Sequence, residues 1–391
     1  MTTVGSKERS LREDVRLVGQ SVAARVADDV DREGRFPSET FEALRAVGAL
    51  SSFVPRTHGG CEESFGSVAG ACYELARCCG ASGMVYAMHQ IQVACIVRHG
   101  AGTPWHDDYL ARLGNEQRLI ASATSEKGVG GDLRRSVAAL TETDGLLELR
   151  KDAPTVSYGA HADDLLITCR RSEDAEPSDQ VLVLAEASQT TLEQTATWDA
   201  LGMRGTCSPA FVLTTRVAPE QVLPVDFGEI AARTMVPCSH LLWAHVWLGI
   251  ATDAYERARA FVREQAKFAG GGTPPTARRL STLAAELQAM RSEIGLATSE
   301  YESLLESGDP EGTLDSVGYA IRINTLKINA SEAAPRICTG ALSVCGMAGY
   351  RNGTPFSVGR HVRDALSASL MIANDRIHAT NASLLLVHKA R

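Results

Sequence analysis

The chain has 391 residues, 44% of them apolar and 22% charged, enough for a large core and more than one domain. A formal net charge of −8 leaves no basic field for a phosphate backbone, which argues against nucleic acid as a partner, and no run approaches the roughly 20 apolar residues that span a bilayer. The opening MTTVGSKERSLREDVRLVG has no apolar signal core, so a cytoplasmic protein without membrane attachment is expected.

Residues 8 to about 118 carry helical periodicity, as in FPSETFEALRAVGAL and SFGSVAGACYELARCCGASGMVYAMHQIQVACIVRHG, interrupted by a loop at 55–60. This predicts an N-terminal helical domain over 1–118. Between 119 and 228 the pattern changes to short β-type runs, RLIASATS, LLELRKD, DDLLITCRR, QVLVLAEA and PAFVLTTRVA, separated by charged or glycine-rich turns. A small β-sandwich or barrel is expected there. From 229 to 391 four long helical stretches follow, near 234–269, 276–307, 313–346 and 357–389, with breaks at Gly270-Gly271-Gly272, at 307–310 and at 349–355. They predict a C-terminal four-helix bundle, so the fold class is mainly α with a central β-domain. Ten cysteines are scattered along the chain without a CxxC, and the pair Cys78-Cys79 is vicinal. Reduced thiols acting as small buried hydrophobes are expected, not zinc ligands or a redox pair, and no histidine spacing points to a metal.

The sharpest local feature is Ser125-Glu126-Lys127-Gly128-Val129-Gly130-Gly131-Asp132, directly after a strand-like run. Its glycines let backbone approach a flat cofactor or a phosphate, and its hydroxyl and exposed amides offer hydrogen bonds; a hairpin turn is the plain alternative. Two further runs follow in order, Thr155-Val156-Ser157-Tyr158-Gly159-Ala160 and WDALGMRG at 198–205. Together with the domain order, these resemble the acyl-CoA dehydrogenase family over nearly the whole chain. The first is similar to the family's flavin loop, TEPGAGSD, the second to its WITNGG strand, and the third to the turn after it. The resemblance implies a bound flavin, FAD with FMN as the alternative, held by Ser125, Gly128, Gly130, Gly131 and Asp132. It also implies that the Ser157 hydroxyl lies against the N5 edge of the isoalloxazine. In the bundle, Gly346-Met347-Ala348-Gly349-Tyr350 resembles the family's GGNG turn, and Arg363-Asp364-Ala365 resembles the RDA that begins its last helix. Gly346 and Gly349 would then contact the flavin of a neighbouring subunit, which implies a homo-oligomer, a dimer or tetramer. Ser343 stands where the family has a glutamine, and the region 263–272 replaces an arginine-phenylalanine pair, so pyrophosphate contacts are expected to differ.

A dehydrogenase of this family needs a carboxylate to remove the proton next to a thioester carbonyl. The family's YEGT corresponds to Met371-Ile372-Ala373-Asn374, which puts Ile372 at the base position and Asn374 at an implied cofactor contact; the alternative base position on the first bundle helix is Ser239. Asp375 is the candidate for a relocated base, with a helix cap or exposed ion pair as its other reading. Loss of the base resembles the two-component flavin monooxygenases of the same superfamily. That branch implies reduced flavin from a separate flavin reductase, a flavin C4a-hydroperoxide, and a small aromatic or heteroaromatic substrate, for example of indole type. Donors for such chemistry are Ser157, His89 on an apolar helix, and His378 one turn beyond Asn374, each with a structural alternative: a strand serine, a core histidine bonded to backbone, an interface residue. His240 and His245 are too far apart in phase for both to face one pocket. An acyl-CoA or acyl-carrier-protein dehydrogenase using Asp375 is the second reading, and a flavin-free oligomeric scaffold the third.

Overall fold

A computed structural model describes residues 10–130, 132–268 and 273–388. The expected break at Gly270-Gly271-Gly272 and the loop residue Gly131 lie outside the described residues. The N-terminal helices are α1 (Leu11–Val18), α2 (Ala24–Glu33), α3 (Ser38–Ala46), α4 (Phe65–Cys78), α5 (Gly80–His99) and α6 (Pro104–Glu116). Helix α5 is apolar on every side, and the fold treats it accordingly: nearly all of it is buried, against α4, the C-terminal helices and the first strand. Seven of the ten cysteines are buried, in keeping with their use as small hydrophobes.

The strands are β1 (Ile120–Ala123), β2 (Thr141–Thr143), β3 (Leu146–Ala153), β4 (Asp164–Arg170), β5 (Gln180–Glu186), β6 (Thr190–Gln194) and β7 (Phe211–Val217). They form a three-stranded sheet β1-β4-β5, with β1 parallel to β4, and an antiparallel sheet β2-β3-β7-β6. Strands β3 and β7 pair from Leu147↔Val217 to Ala153↔Phe211, so the turns beyond Ala153 and before Phe211 emerge side by side. That adjacency builds the site.

The C-terminal half comprises α7 (Phe227–Ile230), α8 (Val236–Phe268), α9 (Ala277–Ser307), α10 (Val317–Cys345), α11 (Met347–Tyr350), α12 (Gly359–Leu366) and α13 (Asn374–Val387). Helix α10 packs on α8, α9, α12 and α13. The sequence pattern at 357–389 suggested one helix, but the structure has two, separated at 367–373. Three features mark the break, one of them from a distant helix: Ser367 Oγ donates to Asp364 O (2.6 Å), Ile372 adopts φ +47°, and the Lys327 ammonium of α10 holds the Ile372 carbonyl at 2.9 Å. Arg363-Asp364-Ala365 therefore sits on α12 and does not begin the last helix. There the chain packs so closely that a Cβ at Gly202 would lie 2.1 Å from Arg363 O, and buried Asp364 accepts from Met203 N at 2.7 Å. Among the described residues no helix is long and apolar enough to cross a membrane.

Candidate active site

After β3 the chain turns sharply at Tyr158, a non-glycine residue at φ +44°. Its amide donates to Thr206 O (2.8 Å) and Cys207 O (2.9 Å), and Cys207 is itself at φ +41°. Val156 N donates to Pro209 O (3.1 Å), so the turns after β3 and before β7 are laced together. The buried Tyr158 hydroxyl reaches Ile120 O (2.9 Å) and pins this turn to β1. Left-handed L-residues cost on the order of 1 kcal/mol each and persist where the surroundings over-determine them, commonly at functional sites. The residue held by this frame is Ser157, which is half-buried and accepts a hydrogen bond from Ser208 Oγ at 2.9 Å.

The loop after β1 approaches the same turn. Ser125 Oγ donates to Thr155 O (2.6 Å), and Lys127 N donates to Asp152 O (3.0 Å). Glu126 points inward, accepting from Ser136 Oγ (2.6 Å), Val137 N (3.1 Å) and Ala138 N (2.5 Å), with the buried Lys151 ammonium 3.8 Å away. Burial pulls the Lys151 ammonium down to about 8 against the pull of Glu126. The next two described glycines face outward. Gly128 (φ +96°) and Gly130 (φ +60°) are exposed, and a Cβ on them would meet nothing nearer than Val137 Cγ2 at 3.8 Å and Arg376 Nη2 at 3.5 Å. The loop thus offers an open backbone edge, with a guanidinium from α13 beside it. Asp132 closes the turn: its amide bonds Val129 O (3.2 Å), and its carboxylate takes Arg134 N (3.1 Å) and Nε (3.3 Å).

Because Glu126 supplies three acceptor contacts and a counter-charge for buried Lys151, Glu126→Ala is expected to lose about 3–5 kcal/mol of stability. Urea unfolding measures it; a loss below about 1 kcal/mol would mean that the buried pair does not hold the loop.

Neither position that the family resemblance assigns to the base, Ile372 or Ser239, carries a carboxylate. Ile372 is 40% exposed, and Ser239 is buried with its hydroxyl donated to Met235 O at 2.5 Å. Beneath Ile372, the buried Lys327 ammonium also donates to Asn374 Oδ1 (2.7 Å). Asn374, expected at the cofactor, is instead buried and engaged with Lys327, Ser331 Oγ (3.1 Å) and Glu332 Oε1 (3.4 Å). It works as a clamp under the 367–373 turn. Asp375 and His378 are both exposed on α13, Asp375 in its first turn, where a negative charge complements the helix N-terminus.

His89 departs most from the expected donor role. It is fully buried, its Nε2 lies 2.7 Å from Leu50 O, and its Nδ1 accepts from Ile120 N at 3.0 Å. Both nitrogens are therefore taken by backbone, and burial lowers its pKa to about 4, which keeps the ring neutral. His89 braces the backbone of Ile120, whose carbonyl in turn holds Tyr158. The two bundle glycines also differ. Gly346 (φ +56°) faces open space near the exposed side chains of Met347 and Tyr350, whereas a Cβ at Gly349 would lie 2.6 Å from Cys345 Cβ. Gly349 is a packing position. Near that turn, Arg263, Lys267, Phe268 and Phe356 line a groove of about 810 Å³.

The structure thus ties Ser125 to the segment that carries Ser157, leaves Gly128 and Gly130 exposed on the same loop as Ser125, and sets His89, Asn374 and Gly349 into the scaffold. Residues that the sequence did not single out for a role are Tyr158, Ser208, Lys327 and Arg376. A trace of the first three exists: Tyr158 and Ser208 lie in or beside the recognised motifs, and Lys327 is the lone charge in the run TLKINAS.

A family model described as acyl-CoA dehydrogenase, N-terminal domain, matches residues 5–113, and one described as acyl-CoA dehydrogenase, C-terminal domain, matches residues 231–380, together more than half of the chain. Dibenzothiophene monooxygenase of Rhodococcus qingshengii is 26% identical over 336 residues, covering 82% of this chain and 80% of that protein. Cyclohex-1-ene-1-carbonyl-CoA dehydrogenase of Syntrophus aciditrophicus is 24% identical, covering 98% and 91%. Among solved structures, FMN-bound TdsC from Paenibacillus sp. A11-2 superposes with a TM-score of 0.83 at 21% identity, covering 97% and 98%. Butyryl-CoA dehydrogenase from Megasphaera elsdenii gives 0.79 at 19%, covering 98% and 100%.

Proposed function

The chain belongs to the acyl-CoA dehydrogenase family, and from that premise we propose that it is a flavin-dependent monooxygenase acting on a small aromatic or heteroaromatic compound. The observation that carries this reading is the pairing of two base positions without a carboxylate, Ile372 and Ser239, with a hydroxyl at Ser157 held by an over-determined turn. The dibenzothiophene monooxygenases among its relatives, and the TdsC structure with FMN and indole, support a fused aromatic heterocycle as substrate.

The residues present fit a flavin. The exposed backbone edge at Gly128 and Gly130 has room for a flat ring or a phosphate, Arg376 stands beside it, and Ser125 ties that edge to the strand end that carries Ser157. FAD or FMN, reduced by a separate reductase in the cytoplasm, would supply the electrons that put one oxygen atom into the substrate and release the other as water. Ser157 would donate to that group, and the Lys327–Asn374 clamp holds the 367–373 turn in place. A homo-oligomer, dimer or tetramer, is part of the proposal, supported by the exposed Met347 and Tyr350 beside Gly346 and by exposed Leu385, Leu386 and Val387 at the end of α13.

The test supplies reduced FMN or FAD from a reductase and indole as substrate. An oxygen-dependent hydroxylated product is expected. Ser157→Ala should bind reduced flavin within a few-fold of wild type while product per oxygen falls about a hundredfold and hydrogen peroxide accumulates. Equal coupling in wild type and variant would remove Ser157 from the chemistry. Anaerobic bleaching of bound FAD by an acyl thioester would replace the monooxygenase reading with a dehydrogenase.

A further inference from the structure

The Ser157 hydroxyl is not isolated. Ser208 Oγ donates to it at 2.9 Å, and Thr206 Oγ1 lies 2.8 Å from Ser208 Oγ. Thr206 and Ser208 are buried, whereas Ser157 is half-buried, so the three hydroxyls run from the interior to the edge of the site. The path depends on the backbone. Cys207 at φ +41° bends the chain so that the hydroxyls on either side of it meet, and Pro209 restricts Ser208 to extended conformations. Pro209 O then accepts from Val156 N at 3.1 Å, which fixes the spacing between the two turns.

A serine hydroxyl has one hydrogen to donate and two lone pairs to accept with. Ser208 has two acceptors close by, Thr206 Oγ1 at 2.8 Å and Ser157 Oγ at 2.9 Å, with Thr206 O farther away at 3.3 Å. Thr206 has its own acceptor in Met203 O (2.8 Å) and also faces Ser208. When Thr206 gives its hydrogen to Ser208, the Ser208 hydrogen goes to Ser157, which then keeps its own hydrogen for a group outside the protein. A donated hydrogen bond also strengthens the recipient as a donor, because bonds in a chain polarise one another.

We infer that Ser208 is a positioning residue: through its hydrogen bond it orients the Ser157 hydroxyl outward as a donor to the reactive edge of the bound flavin. This role rests on the flavin reading of the same site. The direction of this one hydroxyl decides whether Ser157 can donate to the flavin. Alternative rotamers of an unsupported serine would turn that hydrogen back to the backbone.

The experiment compares wild type, Ser157→Ala, Ser208→Ala and Ser208→Thr, each loaded with flavin. The midpoint potential of the bound flavin is read by equilibration with a redox dye, and product per oxygen is read with indole. Ser157→Ala and Ser208→Ala are expected to shift the potential in the same direction, with flavin affinity within about threefold of wild type. Ser208→Thr, which keeps the hydroxyl, should restore the wild-type potential. Product per oxygen should fall about tenfold in Ser208→Ala, less than in Ser157→Ala, because the donor remains but is no longer oriented. The potential needs no turnover, so it judges Ser208 even if indole is a poor substrate. A potential unmoved in Ser208→Ala overturns the role of Ser208 and leaves the flavin reading intact. Wild-type protein that binds no flavin overturns both.

Discussion

Butyryl-CoA and octanoyl-CoA, offered with bound FAD and an artificial electron acceptor, are expected to be oxidised about 10²- to 10⁴-fold more slowly than by a relative with its carboxylate in place. The reason lies in two positions. At Ile372 the side chain is aliphatic, and at Ser239 the hydroxyl is buried and committed to Met235 O at 2.5 Å. The charge beneath the first position is also positive, because the buried Lys327 ammonium grips the Ile372 carbonyl. Asp375 is exposed on the first turn of α13, and its one route to a base role would require the Lys327–Asn374 clamp to release the turn. Ile372→Glu provides the converse experiment. A β-branched residue at φ +47° is strained, so glutamate should be tolerated there, and it puts a carboxylate at the position that the family resemblance assigns to the base. A gain in acyl-CoA oxidation is expected. Substantial turnover by the wild type that disappears in Asp375→Asn would sink the argument and favour the dehydrogenase.

The parts of this molecule that were legible in its sequence are those where pattern and burial coincide. Five strands announced themselves through buried runs such as DLLITCR and QVLVLAE, whereas β2 and β6 did not. Thr141–Thr143 is wholly exposed and Thr190–Gln194 largely so; they are strands because β3 and β7 present free edges, which no local pattern encodes. The segment carrying Ser157 stood out through its likeness to a known motif, but as a strand, whereas β3 ends at Ala153 and Ser157 lies in the turn beyond it. The support of that turn was not legible, because the bonds from Ser208 Oγ to Ser157 and from Tyr158 N to the Thr206 and Cys207 carbonyls form only once β3 and β7 pair. His89 shows the opposite error. A histidine on an apolar helix reads equally well as a donor or as a core residue, and the choice is made by Leu50 and Ile120, far apart in sequence. The break before α13 was hidden for the same reason, since its cause is a lysine on α10.

Stability is expected to fall steeply as the pH drops from about 6.5 towards 4, through histidines that the fold keeps neutral. Burial lowers the pKa of His89 to about 4, and burial together with the Lys327 charge lowers that of His240 to about 3. An unfolded histidine titrates near 6.5. Above that value both states are neutral and the full stability is present. Below it the unfolded chain takes up protons that the folded chain refuses, so each unit of difference removes about 1.4 kcal/mol. For these two residues that amounts to roughly 3–5 kcal/mol apiece once the pH reaches the folded value, against a total of about 5–15 kcal/mol for a typical domain. His99 and His245, both also lowered to about 4, act in the same direction. Asp364 opposes them in part: burial raises its carboxyl to about 6, so its contribution is lost as the pH rises from about 4 to 6. The measurement is the urea unfolding free energy between about pH 8 and pH 4.5, a range that spans the unfolded histidine value. His89→Gln keeps a donor for Leu50 O and an acceptor for Ile120 N but cannot take a proton, so it should flatten the slope below about pH 6.5. Asp364→Asn should steepen the same slope, since it removes the one opposing group among those named. A slope unchanged in His89→Gln would show that His89 is not held neutral by the fold, and its place as the brace between Leu50 and Ile120 would have to be given up.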